Sequence, residues 1–241
     1  MRLDRFLSGQ NVASRKEAKE LARAGLIRVN DTVVKDTGMN IDPENDRIAV
    51  RGEIISYKEY LYLMLNKPQG VVCATEDKRH PTVIDLVPEP LKRRNLFPAG
   101  RLDIDTEGFV LVTDDGEMAH RILAPKQHVP KTYHARLLHS ISTEEIERFC
   151  SGVTLEDGTP CLPAELVLLE EGEHPLAEVV LFEGKFHQVK RMFEAVNNKV
   201  VALKRVKIGG LPLDPELPSG GVREILHKEL ELLLGSNLRE K

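Results

Sequence analysis

Cysteine is scarce in this sequence, and the three that occur, Cys73, Cys150 and Cys161, show no Cys-x-x-Cys spacing. An odd number without that spacing argues against both a zinc site and a disulfide framework. It fits a reducing cytoplasm. No apolar run approaches the roughly 20 residues of a membrane span. The opening Met1-Arg-Leu-Asp-Arg5 lacks the apolar core of a signal peptide. There is no Rossmann glycine pattern and no P-loop, so nothing marks a nucleotide-binding enzyme. Tryptophan is absent and aromatic residues make up only 5%. An overall positive charge is missing too. The net charge is -4, so any nucleic-acid binding has to come from a local basic patch.

What remains is ordinary for a globular chain. Hydrophobic residues make up 41% and charged residues 30% of 241 positions. That length accommodates one large domain, or a small one followed by a medium one.

The first part reads as two short helices and a hairpin. Leu3, Phe6 and Leu7 have i, i+3, i+4 spacing. Ser14-Arg-Lys-Glu17 is a capping-box pattern opening a second helix, with Ala18, Leu21 and Ala22 inward and Gly25 as its stop. Ile27–Val29 and Thr32–Val34 flank Asn30-Asp31, a hairpin signal. Residues 1–30 hold seven Lys/Arg against three Asp/Glu, and residues 31–56 hold three against six. Arg15, Lys16, Lys19 and Arg23 recur at spacings of three, four and seven, on one stripe opposite Ala18 and Leu21. Such a stripe is usually a solvated face. Here it is one-sided and opposite in sign to the rest of the chain, which favours a phosphate-tracking surface.

Residues 52–60 show no clear period, and the domain boundary is placed there: 1–56 as a small domain, 57–60 as linker, 61–235 as a larger domain and 236–241 as a frayed polar tail. Leu61–Leu65 reads as a buried strand ended by the turn Asn66-Lys-Pro-Gln-Gly70. Thr82–Leu86 reads as the start of a short helix bounded by Pro88 and Pro90. Thr113-Asp-Asp-Gly116 can cap a helix carrying Met118, Ile122 and Leu123, ended by Pro125. In Lys131–Leu137 the alternation puts Tyr133, Ala135 and Leu137 on one side and Thr132, His134 and Arg136 on the other. Thr143–Phe149 reads as a helix, 152–158 as a turn-rich loop, and Leu166–Leu169 and Val179–Phe182 as strands. Val189, Met192, Phe193 and Val196 predict a helix starting near His187. Lys190 and Arg191 sit in its first turns, where cations are unfavourable without an anionic partner. Alternating strands among helices predict α+β architecture with an antiparallel-rich mixed sheet.

The most distinctive stretch is Ala99-Gly-Arg-Leu-Asp-Ile-Asp-Thr-Glu-Gly-Phe109, followed by the buried-strand run Val110–Val112. Two glycines bracket Arg101, Asp103, Asp105, Thr106 and Glu107, as at a tight turn or close backbone approach. A charged loop pinned at the mouth of a sheet is where catalytic residues tend to sit. By charge and spacing alone, a solvated turn is an equally good description.

In its wording, however, Gly100-Arg-Leu-Asp-Ile-Asp-Thr-Glu-Gly108 closely resembles the signature loop of the pseudouridine synthases, in the RsuA branch that modifies ribosomal RNA. Asn66-Lys-Pro-Gln-Gly70 is similar to the loop that opens the catalytic domain in that family. Lys131-Thr-Tyr133, Gly184-x-x-His-Gln-Val-Lys-Arg-Met192 and Leu203 within Val201–Arg205 resemble further motifs in the same order. Residues 1–56, through Arg2–Leu7, Ser14–Ala18 and Gly25–Asn30, resemble the S4-type RNA-binding domain, a binder of structured RNA without chemistry of its own.

The resemblance implies an α+β protein of S4 domain plus synthase domain, converting uridine to pseudouridine in ribosomal RNA without metal, nucleotide or other cofactor. It implies Asp103 as the catalytic carboxylate, nucleophile on the sugar or base toward it. Tyr133 would lie against the target base, Lys190 would pair with the carboxylate, and Leu203 would pack beneath the base. A lone strand tyrosine is otherwise most often a half-buried packing residue. Arg101 or Lys190 could supply the cation that an ionised carboxylate needs in a site excluding water. Arg101 could also hold a phosphate, or occupy the space left by a flipped base. Arg2, Arg5, Arg15, Lys16, Lys19 and Arg23 form the expected RNA-binding set. The partner expected is 16S ribosomal RNA or a small-subunit assembly particle, met by a cytoplasmic monomer, with no membrane association. Large-subunit 23S RNA is the alternative target. Two other readings stand beside this one: Asp103-Ile-Asp105 as a carboxylate pair for a divalent metal, and a non-catalytic ribosome-associated binder.

Overall fold

In the computed structural model, described for residues 1–124, 127 and 129–234, the chain divides into two compact units. Unit one is Met1–Leu61 together with Val87–Leu96. Unit two is Tyr62–Leu86 together with Phe97–Lys241. Residues 87–96, which the sequence pattern assigns to the larger domain, therefore cluster with the first unit.

Unit one begins with α1 (Leu3–Gly9) and α2 (Arg15–Arg23). The Ser14 side chain accepts from Glu17 N while the Glu17 carboxylate accepts from Ser14 N, so both arms of the capping box form. A four-stranded antiparallel sheet follows, in the order β2-β1-β3-β4, from β1 (Ile27–Val29), β2 (Thr32–Val33), β3 (Ile48–Val50) and β4 (Glu53–Ile54). Asn30 and Asp31 both have positive φ, as a two-residue hairpin requires. Leu3, Phe6, Leu7, Ala18, Leu21, Ile27 and Ile48 form the core. The strands β3 and β4 leave no signal in the sequence, being too short for alternation to register.

Unit two is built on a nine-stranded mixed sheet that includes β6 (Phe97–Ala99), β9 (Glu165–Glu170), β12 (Leu211–Pro212) and β13 (Val222–Glu224), in the order β13-β5-β7-β11-β8-β10-β9 with β12 paired to β11 and β6 to β7. The strands that position the site are β5 (Tyr62–Lys67), β7 (Glu107–Thr113), β8 (Lys131–Leu137), β10 (Leu176–Leu181) and β11 (Val200–Ile208). Among the described residues every strand pairing of this sheet is antiparallel except β7 with β11. The α+β, antiparallel-rich mixed sheet expected from the sequence is what forms. Asp115 caps α3 (Gly116–Leu123), accepting from Glu117 N and Met118 N. Ser142 caps α4 (Thr143–Ser151). The helix expected near His187 is α5 (Gln188–Glu194). A further helix, α6 (His227–Leu233), is not among those the sequence predicts.

One element differs from expectation. Thr82–Leu86 forms a turn rather than a helix. The Asp85 carboxylate accepts from Thr82 N (2.7 Å) and Thr82 Oγ1 (2.9 Å), and Asp85 N donates to Thr82 Oγ1 (3.2 Å), the reciprocal bonds of a helix start, but Pro88 disfavours helical backbone at Val87 and the segment stops at a turn. Pro125, the expected stop of α3, and the tail from Gly235 onward lie outside the described residues. Among the described residues no helix is long and apolar enough to cross a membrane.

Candidate active site

Three stretches meet over one face of the sheet in unit two. The floor follows from strand register. Lys131 and Tyr133 are two apart on β8 and share a face. Leu181 on β10 stands opposite Lys131, and on β11 Arg205 stands opposite Tyr133 and Leu203 opposite Ala135. Lys131, Tyr133, Leu181, Leu203 and Arg205 thus line a cleft of about 490 Å³. The loop carrying Arg101, Leu102, Asp103 and Thr106 forms one wall, and residues 183–189 form the other. A volume of this size falls in the range of small-ligand sites.

The loop is held by an element whose sequence shows only turn chemistry. Lys67, at the end of β5, is fully buried. Its ammonium donates to the carbonyls of Pro68 (3.0 Å), Ile104 (3.3 Å) and Thr106 (2.8 Å). Three donors meet three acceptors, which satisfies the whole group. Burial pushes this ammonium below its ordinary pKa. Gly70 N donates to Ile104 O (2.8 Å), Thr106 N to Asp103 O (3.1 Å) and Leu102 N to Cys73 Sγ (3.3 Å). Burial raises the Cys73 thiol.

Within this frame the two carboxylates are not equivalent. Asp103 lines the cleft, with its side chain 25% exposed; Asp105 is 62% exposed and does not line it. Lys190, from α5, meets both: Nζ lies 2.6 Å from Asp105 Oδ1 and 3.4 Å from Asp103 Oδ2. The hydrogen bond from Lys190 holds the Asp105 carboxyl below the usual carboxylate range. The cation at the start of α5 thus has its anionic partners. Arg101 is exposed at the cleft wall. Tyr133 (9% exposed) and Leu203 (6%) form apolar floor. Of the residues singled out from the sequence, Arg101, Asp103, Tyr133, Lys190 and Leu203 come together here.

His187 lies within the Gly184–Met192 motif, and the sequence pattern gives it no role. It caps α5 from the left-handed region (φ 49°), and its Nε2 lies 3.4 Å from Asp103 Oδ1. Helix periodicity carries no information about a residue just outside the helix. The Phe186 ring stacks on His187 with centroids 3.7 Å apart, and is itself largely exposed.

Two buried cations, Lys131 and Arg205, also reach the floor. Lys131 Nζ donates to Ile122 O (2.8 Å) and Arg205 Nε to Phe109 O (2.7 Å). Burial, with the neighbouring Arg205 charge, pushes the Lys131 ammonium down to about 8. The unfolded chain therefore binds more protons than the native one between about pH 8 and the ordinary lysine range. Stability should rise with pH across that window. In Lys131→Met this component should disappear, flattening the rise in thermal unfolding temperature between about pH 8 and pH 10. An unchanged pH profile would show that Lys131 is not the group responsible.

The remaining expected residues belong to unit one. Arg15, Lys16, Lys19 and Arg23 are exposed along α2, opposite buried Ala18 and Leu21. Arg5 is exposed on α1. Arg2 is engaged in a two-pronged pair with Asp4 (3.1 and 2.8 Å), which holds the Asp4 carboxyl below its ordinary range.

Comparison with known proteins agrees with this architecture. The family model described as RNA pseudouridylate synthase matches residues 61–195, and that of the S4 domain matches residues 1–48. An uncharacterised RNA pseudouridine synthase of Bacillus subtilis (strain 168) is 46% identical over 234 residues, covering 97% of this chain and 98% of its own. Ribosomal small subunit pseudouridine synthase A of Escherichia coli (strain K12) is 40% identical over 232 residues, covering 95% and 98%. A crystal structure of a pseudouridylate synthase superposes with TM-score 0.66 at 38% identity, covering 97% and 99%. A cleft in which Asp103 stands over a floor that includes Tyr133 and Leu203, in a chain that also carries an RNA-binding module, is the equipment of an enzyme acting on an RNA nucleoside, and the chain belongs to the RNA pseudouridine synthase family. It is an isomerase: the C1′–N1 bond of a uridine is exchanged for a C1′–C5 bond, with no net redox change.

Proposed function

We propose that this enzyme isomerises one uridine in small-subunit 16S ribosomal RNA, free or in an assembly particle, working as a cytoplasmic monomer. The target rests on similarity to relatives named for the small ribosomal subunit. For the site, the observation that carries the reading is the inward position of Asp103 over the Tyr133 and Leu203 floor. A uridine must leave its stack to reach that depth. Tyr133 and Leu203 offer its base a flat apolar bed, and Asp103 acts on the sugar as nucleophile or base. Lys190 keeps a positive charge behind the carboxylate. Arg101, at the exposed wall, holds the RNA backbone or fills the vacated stack.

The test of the target is pseudouridine mapping of ribosomal RNA from a deletion strain, paired with purified enzyme on each subunit's RNA. One pseudouridine should be lost from small-subunit RNA and be restored by the enzyme. Product confined to large-subunit RNA would assign the protein to 23S RNA instead.

The basic stripe on α2 supplies affinity and placement rather than chemistry. With Arg15, Lys16 and Lys19 all replaced by Ala, RNA binding should weaken. The slope of log affinity against log salt should fall by about 1 for each phosphate that these side chains neutralise. The rate at saturating RNA should change far less. Unaltered binding and salt slope would remove this role from the stripe.

A further inference from the structure

Among the described residues, only two buried side-chain polar atoms have no hydrogen-bond partner, Thr106 Oγ1 and Arg205 Nη2. Both residues line the cleft that holds Asp103. Thr106 is 1% exposed and Arg205 4%. The parallel pairing of β7 with β11 sets Arg205 opposite Gly108, two residues after Thr106, so both residues reach this one cleft. The guanidinium is fixed in place, because its Nε donates to Phe109 O. No carboxylate among the described residues pairs with Arg205 or with its neighbour Lys131.

Buried donors left without partners are costly, and a folded protein retains few of them. Two in one cleft indicate that an acceptor arrives with the ligand. The reaction itself supplies one. By either route open to Asp103, the C1′–N1 bond breaks with its electron pair going to uracil, which becomes an anion delocalised over its ring and two carbonyl oxygens. C1′ is meanwhile bonded to the Asp103 carboxylate, or is doubly bonded to C2′ with the C2′ proton on Asp103. The base turns, and C5 bonds to C1′ as the Asp103–C1′ bond breaks or the proton returns to C2′. The C5 proton leaves to solvent and N1 takes up a proton, so atoms and charge balance. Fixed donors aimed at developing charge in a water-excluding site are worth more than the same groups in water.

We propose that Arg205 Nη2 and Thr106 Oγ1 bind a carbonyl oxygen of the flipped uracil and stabilise the negative charge it carries once the glycosidic bond is broken. This rests on the assignment of Asp103 and its cleft given above.

The test uses Thr106→Val, which keeps the side-chain shape and removes the hydroxyl, with Arg205→Lys as a second variant. The substrate is a transcript containing the mapped target uridine, made with uridine, 2-thiouridine or 4-thiouridine and tritiated at C5. Tritium release is followed under single turnover. Thr106→Val should unfold at the wild-type temperature or above it, since a buried hydroxyl without a partner is lost. On the uridine transcript it should be slower by about 10- to 100-fold, at or below the lower end of losses seen for a single oxyanion donor. Sulfur is a weak acceptor, so one of the two thio transcripts should slow the wild type while slowing Thr106→Val and Arg205→Lys little further. Wild-type rates in Thr106→Val would overturn the proposal. So would a lowered unfolding temperature with lost activity, which marks a structural hydroxyl. Equal further losses on both thio transcripts would also overturn it, pointing to a phosphate or no ligand contact. Asp103→Asn is measured in parallel: full activity there would instead break the underlying site assignment.

Discussion

Asp103→Asn should abolish pseudouridine formation while leaving RNA affinity within severalfold of wild type. Asn keeps the size and most of the hydrogen-bonding capacity of Asp but can act neither as nucleophile nor as base. Loss of such a group typically costs on the order of 10⁴-fold or more in rate. The neighbouring carboxylate separates this from a general effect of charge. Asp105→Asn removes a charge of the same sign two residues away, from a side chain that is 62% exposed, lies 2.6 Å from Lys190 and does not line the cleft. It should keep measurable turnover. The removal of Asp105 frees Lys190 to pair with Asp103 alone, so its effect should be a modest change in rate. Single-turnover product formation by both variants, beside a binding assay, decides the matter. Substantial turnover by Asp103→Asn would overturn the assignment. Equal loss in both variants with binding intact would return the pair to consideration as a divalent-metal ligand set, and activity in excess chelator would then exclude that alternative.

Gly108→Ala should unfold the catalytic unit well below the wild-type temperature. Gly108 has φ +104°, a region that L side chains rarely adopt. A Cβ there would point into the backbone of Arg205, 2.8 Å from its N and 3.0 Å from its carbonyl carbon, with the carbonyl oxygen closer still. The obstruction is backbone on a central strand, so no rotamer change relieves it. Strain of about 1–3 kcal/mol from the dihedral, together with about 1–3 kcal/mol from overpacking, gives a loss of several kcal/mol. That is a large part of the stability of an ordinary domain. Gly116→Ala is the matched control. Gly116 opens α3 with ordinary φ and has nothing within 4 Å of an added Cβ. It should be neutral, or stabilising by a few tenths to about 1 kcal/mol. Urea denaturation of the two variants reads the difference, and a midpoint for Gly108→Ala near that of Gly116→Ala would refute the close-approach argument. Because the same β7–β11 pairing positions Arg205 in the cleft, residual folded Gly108→Ala should also be poorly active.

The sequence by itself determined what depends on neighbours along the chain. The caps at Ser14 and Asp115, the Asn30-Asp31 hairpin and the alternation of β8 are local bonds and local periods, and each is present as read. Motif wording went further and singled out Asp103, Tyr133, Lys190 and Leu203, which the fold gathers at one cleft. Only the tertiary structure decided the roles that depend on register between distant strands. Lys67 reads only as part of the turn Asn66–Gly70 until β5 and β7 pair and three carbonyls enclose it. Thr82–Leu86 reads as the start of a helix and forms the reciprocal Thr82–Asp85 bonds of one, but Pro88 stops it at a turn. His187 reaches Asp103 because a left-handed residue turns the chain at the head of α5, which no spacing rule encodes. Arg205 and Thr106 lie 99 residues apart in the chain, and the parallel β7–β11 pairing brings both to one cleft. The unmet donors of the cleft are therefore a property of the sheet, since burial without a partner exists only once the strands have closed around both side chains.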